Sequence, residues 1–340
     1  MNRVSLLIGM GLVVSLALGT GCLGDAPHDN PFDPNSDRFV REGAITGRVT
    51  DRADAPLPDA DVRLISGSSA TQPDLLIRTT TQGEYTFSDV LEGSGYRILV
   101  HKDGYVEGML EALDVQAGVE KELPTLRLNA LPAITSATFR TIHISRFWPT
   151  NDLFFLEVNA TIADADGLLD IAEVWFEIPS QGFRATLDPQ GLSGGQFGTM
   201  IRADLLPTPS LQRLLGETLR VSARDREGSI VTNDAGQLVR VVENTPNTLN
   251  PFANALLETN RPMFTWEPFP LLFDFTYRID VFRAEGNLTV LVRQSDDIAS
   301  GQTSWQLDSP LQTGPYIWTV TVIDDFGNQS RSKPADFRVP

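Results

Sequence analysis

"LFFLEVNATIADADGLLDIAEVWFEI", residues 153–178, decides the fold. Phe155, Val158, Ala160 and Ile162 mark one apolar face, Val174, Phe176 and Ile178 mark a second, and an Asp- and Gly-rich centre divides them. The second set recurs on every other residue, and most of the first does too. That is the period of a strand, whose side chains alternate between its two faces. Asp and Gly tolerate turn dihedrals, so the stretch reads as strand, acidic turn, strand. Turn signals recur about every 8 to 12 residues along the rest of the chain, which predicts an all-β protein of tandem β-sandwich domains.

The chain's 340 residues suffice for two or three domains of about 100 to 150 residues each. The reading divides them into a signal peptide over 1–21, a flexible tether over 22–41, and sandwiches over 42–129, 130–243 and 244–340. In the first sandwich "AITGRVTD" alternates Ile45, Gly47 and Val49, and "DVRLI" with the residue before it points Ala60, Val62 and Leu64 to one side. "TTTQGEYTFSDV" reads as a hairpin around Gln82-Gly83 with Tyr85 and Phe87 inward, and Tyr96, Ile98 and Val100 follow. Val115 and Leu123 to Leu128 close the sheet. With Pro58, Gly95, Gly104 and Tyr105, this order resembles the carboxypeptidase regulatory-like domain, a transthyretin-like sandwich. The resemblance implies a non-catalytic module.

The second unit resembles an immunoglobulin-like bacterial domain on "DADGLLDI" and "SARDREG". Its "ETLRVSARDREGSIV" is a strand entering a turn at Asp225 to Gly228, and "PSLQRLLG" reads as one short helix. The third resembles a fibronectin type III domain, with Trp266 early, Tyr277 in the middle and Tyr316 and Trp318 late. There Asp324 to Asn328 reads as the turn before the last strand.

The start of the chain bears on location. Met1-Asn2-Arg3 is weakly basic, Val4 to Leu18 carry no charge, and Gly19, Thr20 and Gly21 lead to Cys22, the sole cysteine. This is the layout of a secretory signal, and its apolar run falls short of the roughly 20 residues of a membrane span. Cys22 after small residues resembles a bacterial lipobox, with Gly19 where lipoboxes usually carry Leu. The resemblance implies cleavage before Cys22, lipid on its sulfur and an exported protein anchored at the bacterial cell envelope, the outer membrane above all. One cysteine builds no disulfide framework. The Asp-, Asn- and Pro-rich segment that follows has little to bury and reads as the tether.

The formal charge is −17, and Lys102, Lys121 and Lys333 are the only lysines. Nucleic-acid binding needs clustered Lys and Arg, so no nucleic-acid partner is expected. His28, His101 and His143 are the only histidines. None opens a zinc-peptidase pattern. "GLSGG" places Ser193 in a G-x-S-x-G, but no histidine follows it and its flanks read as loop and strand. Glu173 and Glu177 could be pictured as paired glycosidase carboxylates; on a strand they are more simply its solvated face.

The metal candidate is the acidic turn. Set on a calcium-binding EF-hand loop, Asp164, Asp166, Asp170 and Glu173 fall on ligand positions three, five, nine and twelve, while position one would be Ile162. Such a turn also forms without metal, so no cofactor is the expectation and calcium the open alternative. Trp148, in the loop-like "RFWPTND", is the candidate exposed aromatic, whereas Trp175, Trp266, Tyr277, Tyr316 and Trp318 read as core.

Together these readings describe a lipid-anchored, exported, non-catalytic protein. Its expected role is a structural or protein-binding arm whose partner is an envelope protein or glycan. A carbohydrate-binding lipoprotein and an accessory subunit of an envelope hydrolase are the alternatives.

Overall fold

The computed structural model describes Ser36 and residues 41–67, 72–191, 194–270, 272–286 and 288–340. Cys22, His28, most of the tether and Ser193 lie outside them. The fold is all-β. Among the described residues the only helical elements are four short 3-10 turns, Leu168–Asp170, Pro179–Gln181, Ala203–Leu205 and Leu211–Leu214. The last is what "PSLQRLLG" becomes: one tight turn, too short for a helix, that buries Leu211 and Leu214. No helix among the described residues is long and apolar enough to cross a membrane.

Three hydrophobic clusters follow one another along the chain. The first, from Ile45 to Leu128, sits between two four-stranded sheets. Ile45, Val49, Ala60, Val62, Leu64, Tyr85, Phe87, Tyr96, Ile98, Val100, Val115, Leu123 and Leu128 are all buried in it, as their alternation predicts. Gly47 lies in this series for a steric reason. A Cβ there would stand 2.4 Å from the Tyr85 hydroxyl.

One element differs from its sequence reading. Leu75–Arg78 pairs with Asp61–Ile65, whereas Glu84–Leu91 pairs with Glu42–Thr50 in the opposite sheet. The Gln82-Gly83 turn is therefore an arch that crosses between the sheets, not a hairpin. Turn residues mark a reversal but do not say whether the two arms pair.

The second cluster runs from Leu156 to Leu238 and the third from Val242 to Val339. In the second, Val174, Phe176 and Ile178 are buried, and Leu156, Val158, Ala160 and Ile162 form the facing row. Phe155 is out of phase with that row and pairs on the other face opposite Arg202. Its size made it look like core, but a one-residue offset reverses the face. Trp266, Tyr277, Tyr316 and Trp318 are buried in the third cluster. Trp175 is buried too, with the Arg184 guanidinium 4.1 Å from its ring centre.

The second and third units share a sheet. Eleven strands are hydrogen-bonded into it, and its path runs without a break through Leu153–Ala163, Ala133–Ile144, Gln329–Arg331, Gly314–Asp324 and Phe275–Glu285. The seam is the parallel pairing of Ala133–Ile144 with Gln329–Arg331, in the register Gln329 to Ile142, Ser330 to His143 and Arg331 to Ile144. The Asp324 to Asn328 turn accordingly leads into the short Gln329–Arg331 strand. The last strand is the later Ala335–Val339.

Candidate functional site at the interdomain joints

The joint between the first and second units is built from polar loops. Its core is the acidic turn after Leu153–Ala163. Asp164 Oδ1 accepts the backbone N–H of Asp166 at 2.8 Å, which tightens the turn. The linker stitches onto the first unit, Leu131 N donating to Gly104 O at 2.7 Å and Val106 N to Asn129 O at 2.8 Å. That brings Ala130 to the turn, where its N–H donates to Asp166 Oδ2 at 2.7 Å, while Arg52 N donates to Asp166 Oδ1 at 3.3 Å. Arg52 then reaches Glu227 at 2.6 Å and Asp170 at 3.9 Å. Asn129 Nδ2 donates to Asp225 Oδ2 at 2.8 Å.

Asp164, Asp166 and Asp170 each bring a carboxylate oxygen within 4.8 Å of the others. Asp164 Oδ2 and Asp170 Oδ2 are buried without a hydrogen-bond partner, as is Asn129 Oδ1 in the same joint. Burial pushes the Asp164 carboxyl above its ordinary value, and Asp166, Asp170 and Asp225 push the same way against the Asp166 N–H bond. Asp170 is likewise raised, by burial first, with Arg52 opposing and Asp225 adding to the rise. Burial would also raise Asp225, but hydrogen bonds from Asn129, Ser229 and Gly228 outweigh it and hold that carboxyl below the usual range.

Glu173 does not join this group. It accepts from Arg184 at 2.6 Å and Arg224 at 2.7 Å along the sheet. An EF-hand loop wraps its last ligand around the ion, whereas here residue 173 has already entered the Ile171–Ile178 strand. The donors that remain are hard oxygens only, a set that fits calcium or magnesium.

The second joint contains a group that pattern reading missed. His143 Nε2 lies 2.8 Å from Asp152 Oδ2, and its Nδ1 lies 3.3 Å from Ser330 Oγ. These are the residue types of a hydrolase triad. Ser330, however, is wholly buried and donates to Asn244 O at 2.6 Å, so its hydroxyl is committed and out of a substrate's reach. The group ties the two units together. Beside it Asn328 Oδ1 accepts from Thr141 N at 2.8 Å and Thr141 Oγ1 at 3.0 Å. Arg240 bridges Asp324 at 3.1 Å and Asp325 at 2.6 Å with its guanidinium over the Phe273 ring. The signal for this joint sits 187 residues apart in sequence, beyond any local pattern. Trp148, in contrast, is 83% exposed beside the exposed Phe147.

Residues 44–129, nearly the whole first sandwich, match the family model of the carboxypeptidase regulatory-like domain. No curated protein matches the chain. Among solved structures the chain is similar to a DUF3823 family protein from Parabacteroides merdae, at 13% identity over 58% of this chain and 94% of that one, with a TM-score of 0.24. It is similar to the FN1–FN3 domains of chicken CNTN1, at 8% identity over 82% of this chain and 90% of that one, TM-score 0.29. It is also similar to the fibronectin(III)-like modules of Clostridium thermocellum CbhA, at 13% identity over 62% of this chain and 93% of that one, TM-score 0.28.

Proposed function

We propose that this chain is a stiff, non-catalytic arm, exported and held at the bacterial cell envelope by lipid on Cys22, that presents its third sandwich to an envelope partner. The observation that carries the reading is that both joints are bonded. A sheet runs unbroken from the second unit into the third, and Asn129 and Arg52 of the first unit bond to Asp225, Asp166 and Glu227 of the second. Loose linkers between modules permit relative motion, whereas ties of this kind restrict it. Replacing Cys22 with Ser tests the anchor, and the protein should move from the membrane pellet to the soluble fraction. A variant that pellets as completely as the wild type overturns the lipid. Small-angle scattering on the soluble variant tests stiffness, since one arrangement of the three sandwiches should then account for the whole curve.

A second reading concerns Asp164, Asp166 and Asp170. Two buried carboxylate oxygens without partners favour a divalent cation, calcium by its oxygen donors, as a clasp at the first joint. A ligand that binds only the folded state raises stability by about 2.7 kcal/mol at a hundredfold excess over its Kd. Melting of the full chain should therefore rise by several degrees on replacing EDTA with millimolar calcium, and the rise should vanish in Asp170→Asn. Equal melting in EDTA and calcium sinks this reading and leaves the stiff arm intact.

A further inference from the structure

Strand alternation gives the shared sheet a second face. Trp318 and Val320 enter the third core, so Ile317 and Thr319 point away from it, and Phe282, paired with Ile317, does the same. Together with Ile144 and Leu153 from the second unit and Arg331 at the seam, they line a groove of about 380 Å³. That is the size of a small-ligand site.

Two polar groups in this groove are unsatisfied. Thr319 is 4% exposed, and its hydroxyl has no hydrogen-bond partner. Arg331 Nε is also buried without a partner. Among the described residues the Arg331 guanidinium forms no ion pair, although acids outnumber bases 44 to 27 in this chain. Burial presses on its charge, with Asp280 supporting that charge and Arg278 opposing it. Asp280 is itself engaged, accepting from Gln294 at 2.6 Å and lying 3.6 Å from Arg278. A guanidinium with free donors suits a carboxylate, which accepts from it in a planar fork. The other polar side chains that line the groove are engaged or at its rim: Ser145 donates to Asp152, Arg146 to Asn151 and Ser332 to Lys333 O, while Thr289 is exposed. The rest of the lining is apolar.

We propose that this groove binds a small carboxylic acid with an apolar tail, of the medium-chain fatty acid type. Its carboxylate sits on the Arg331 guanidinium, and its tail lies against Ile144, Phe282 and Ile317. A peptide fits less well, because each of its backbone amides that enters the groove needs a partner, and the side chains of Ser145, Arg146 and Ser332 are already engaged. The inference does not depend on lipid at Cys22 or on calcium.

Titration calorimetry of the full chain with octanoate and with octanol tests it. Octanoate should bind at least tenfold more tightly than octanol, the scale of one charge-assisted hydrogen bond. In Arg331→Gln the two should bind alike, and Thr289→Trp, which places an indole on the exposed rim of the groove, should remove both. Equal affinity for the acid and the alcohol overturns the proposal, as does octanoate binding unchanged in either variant. Tighter binding of acetyl-trileucine than of octanoate would overturn the choice of a small amphiphile.

Discussion

At the scale of the residue, the carboxylates of the first joint pull in opposite directions with pH. Asp164 and Asp170 have folded-state pKa values above the ordinary value of 3.8. The folded protein therefore holds those protons more tightly than the unfolded chain, and their contribution is lost as pH rises from 3.8 through the raised values. Asp225, and Asp152 at the second joint, are lowered, so theirs is present above 3.8 and lost as pH falls through the lowered values. Asp164→Asn keeps the Oδ1 acceptor of the turn and removes the charge. In EDTA it should raise the melting temperature at pH 7 and lose that advantage as the pH approaches 4. A lower melting temperature at pH 7 would show that the carboxylate is needed for more than its acceptor. How legible these residues were depended on locality. Asp164, Asp166 and Asp170 lie within seven positions, and the turn that gathers them is written in the same letters. Glu173 was misplaced because a loop template counts residues without seeing where a strand begins.

At the scale of the element, Gly83 marks an arch that could be recognised as a turn but not as a change of sheet. Its φ is +73°, and a Cβ there would meet Val49 O at 2.3 Å. Val49 N also donates to Gly83 O at 2.8 Å, so backbone packs on backbone with nothing flexible to yield. Gly83→Ala should cost about 1–3 kcal/mol, the scale of one residue held in a disfavoured conformation. The loss should appear as faster hydrogen exchange at Val49 and Leu57, and unchanged protection there would contradict the steric account. Asn328 does the comparable work at the second joint. It accepts from Thr141 and donates to Asp324 at 3.0 Å, all in buried surroundings. Asn328→Ala strands those groups, and about 1–3 kcal/mol of stability should be lost on denaturant unfolding of the full chain. Alternation found the core-facing strands because burial on one face imposes period two. It misjudged Phe155 by one residue, since Phe154 and Leu156 on either side of it hold the phase of the row that runs to Ile162.

At the scale of the whole molecule, alternation pointed to the residues of three successive hydrophobic cores, while the way these cores join could not be read. A seam strand of three residues, "QSR", has no apolar period of its own, and its partner lies nearly two hundred residues earlier. That seam has a mechanical meaning. Ala133–Ile144 and Gln329–Arg331 run parallel. Tension drawing the chain before Ala133 one way and the chain after Arg331 the other slides the two strands lengthwise past each other. Their hydrogen bonds then share the load and must fail together, whereas a hairpin pulled open at its end loses them one by one. An arm fixed at one end and tugged at the other would meet the pull with its seam oriented to resist.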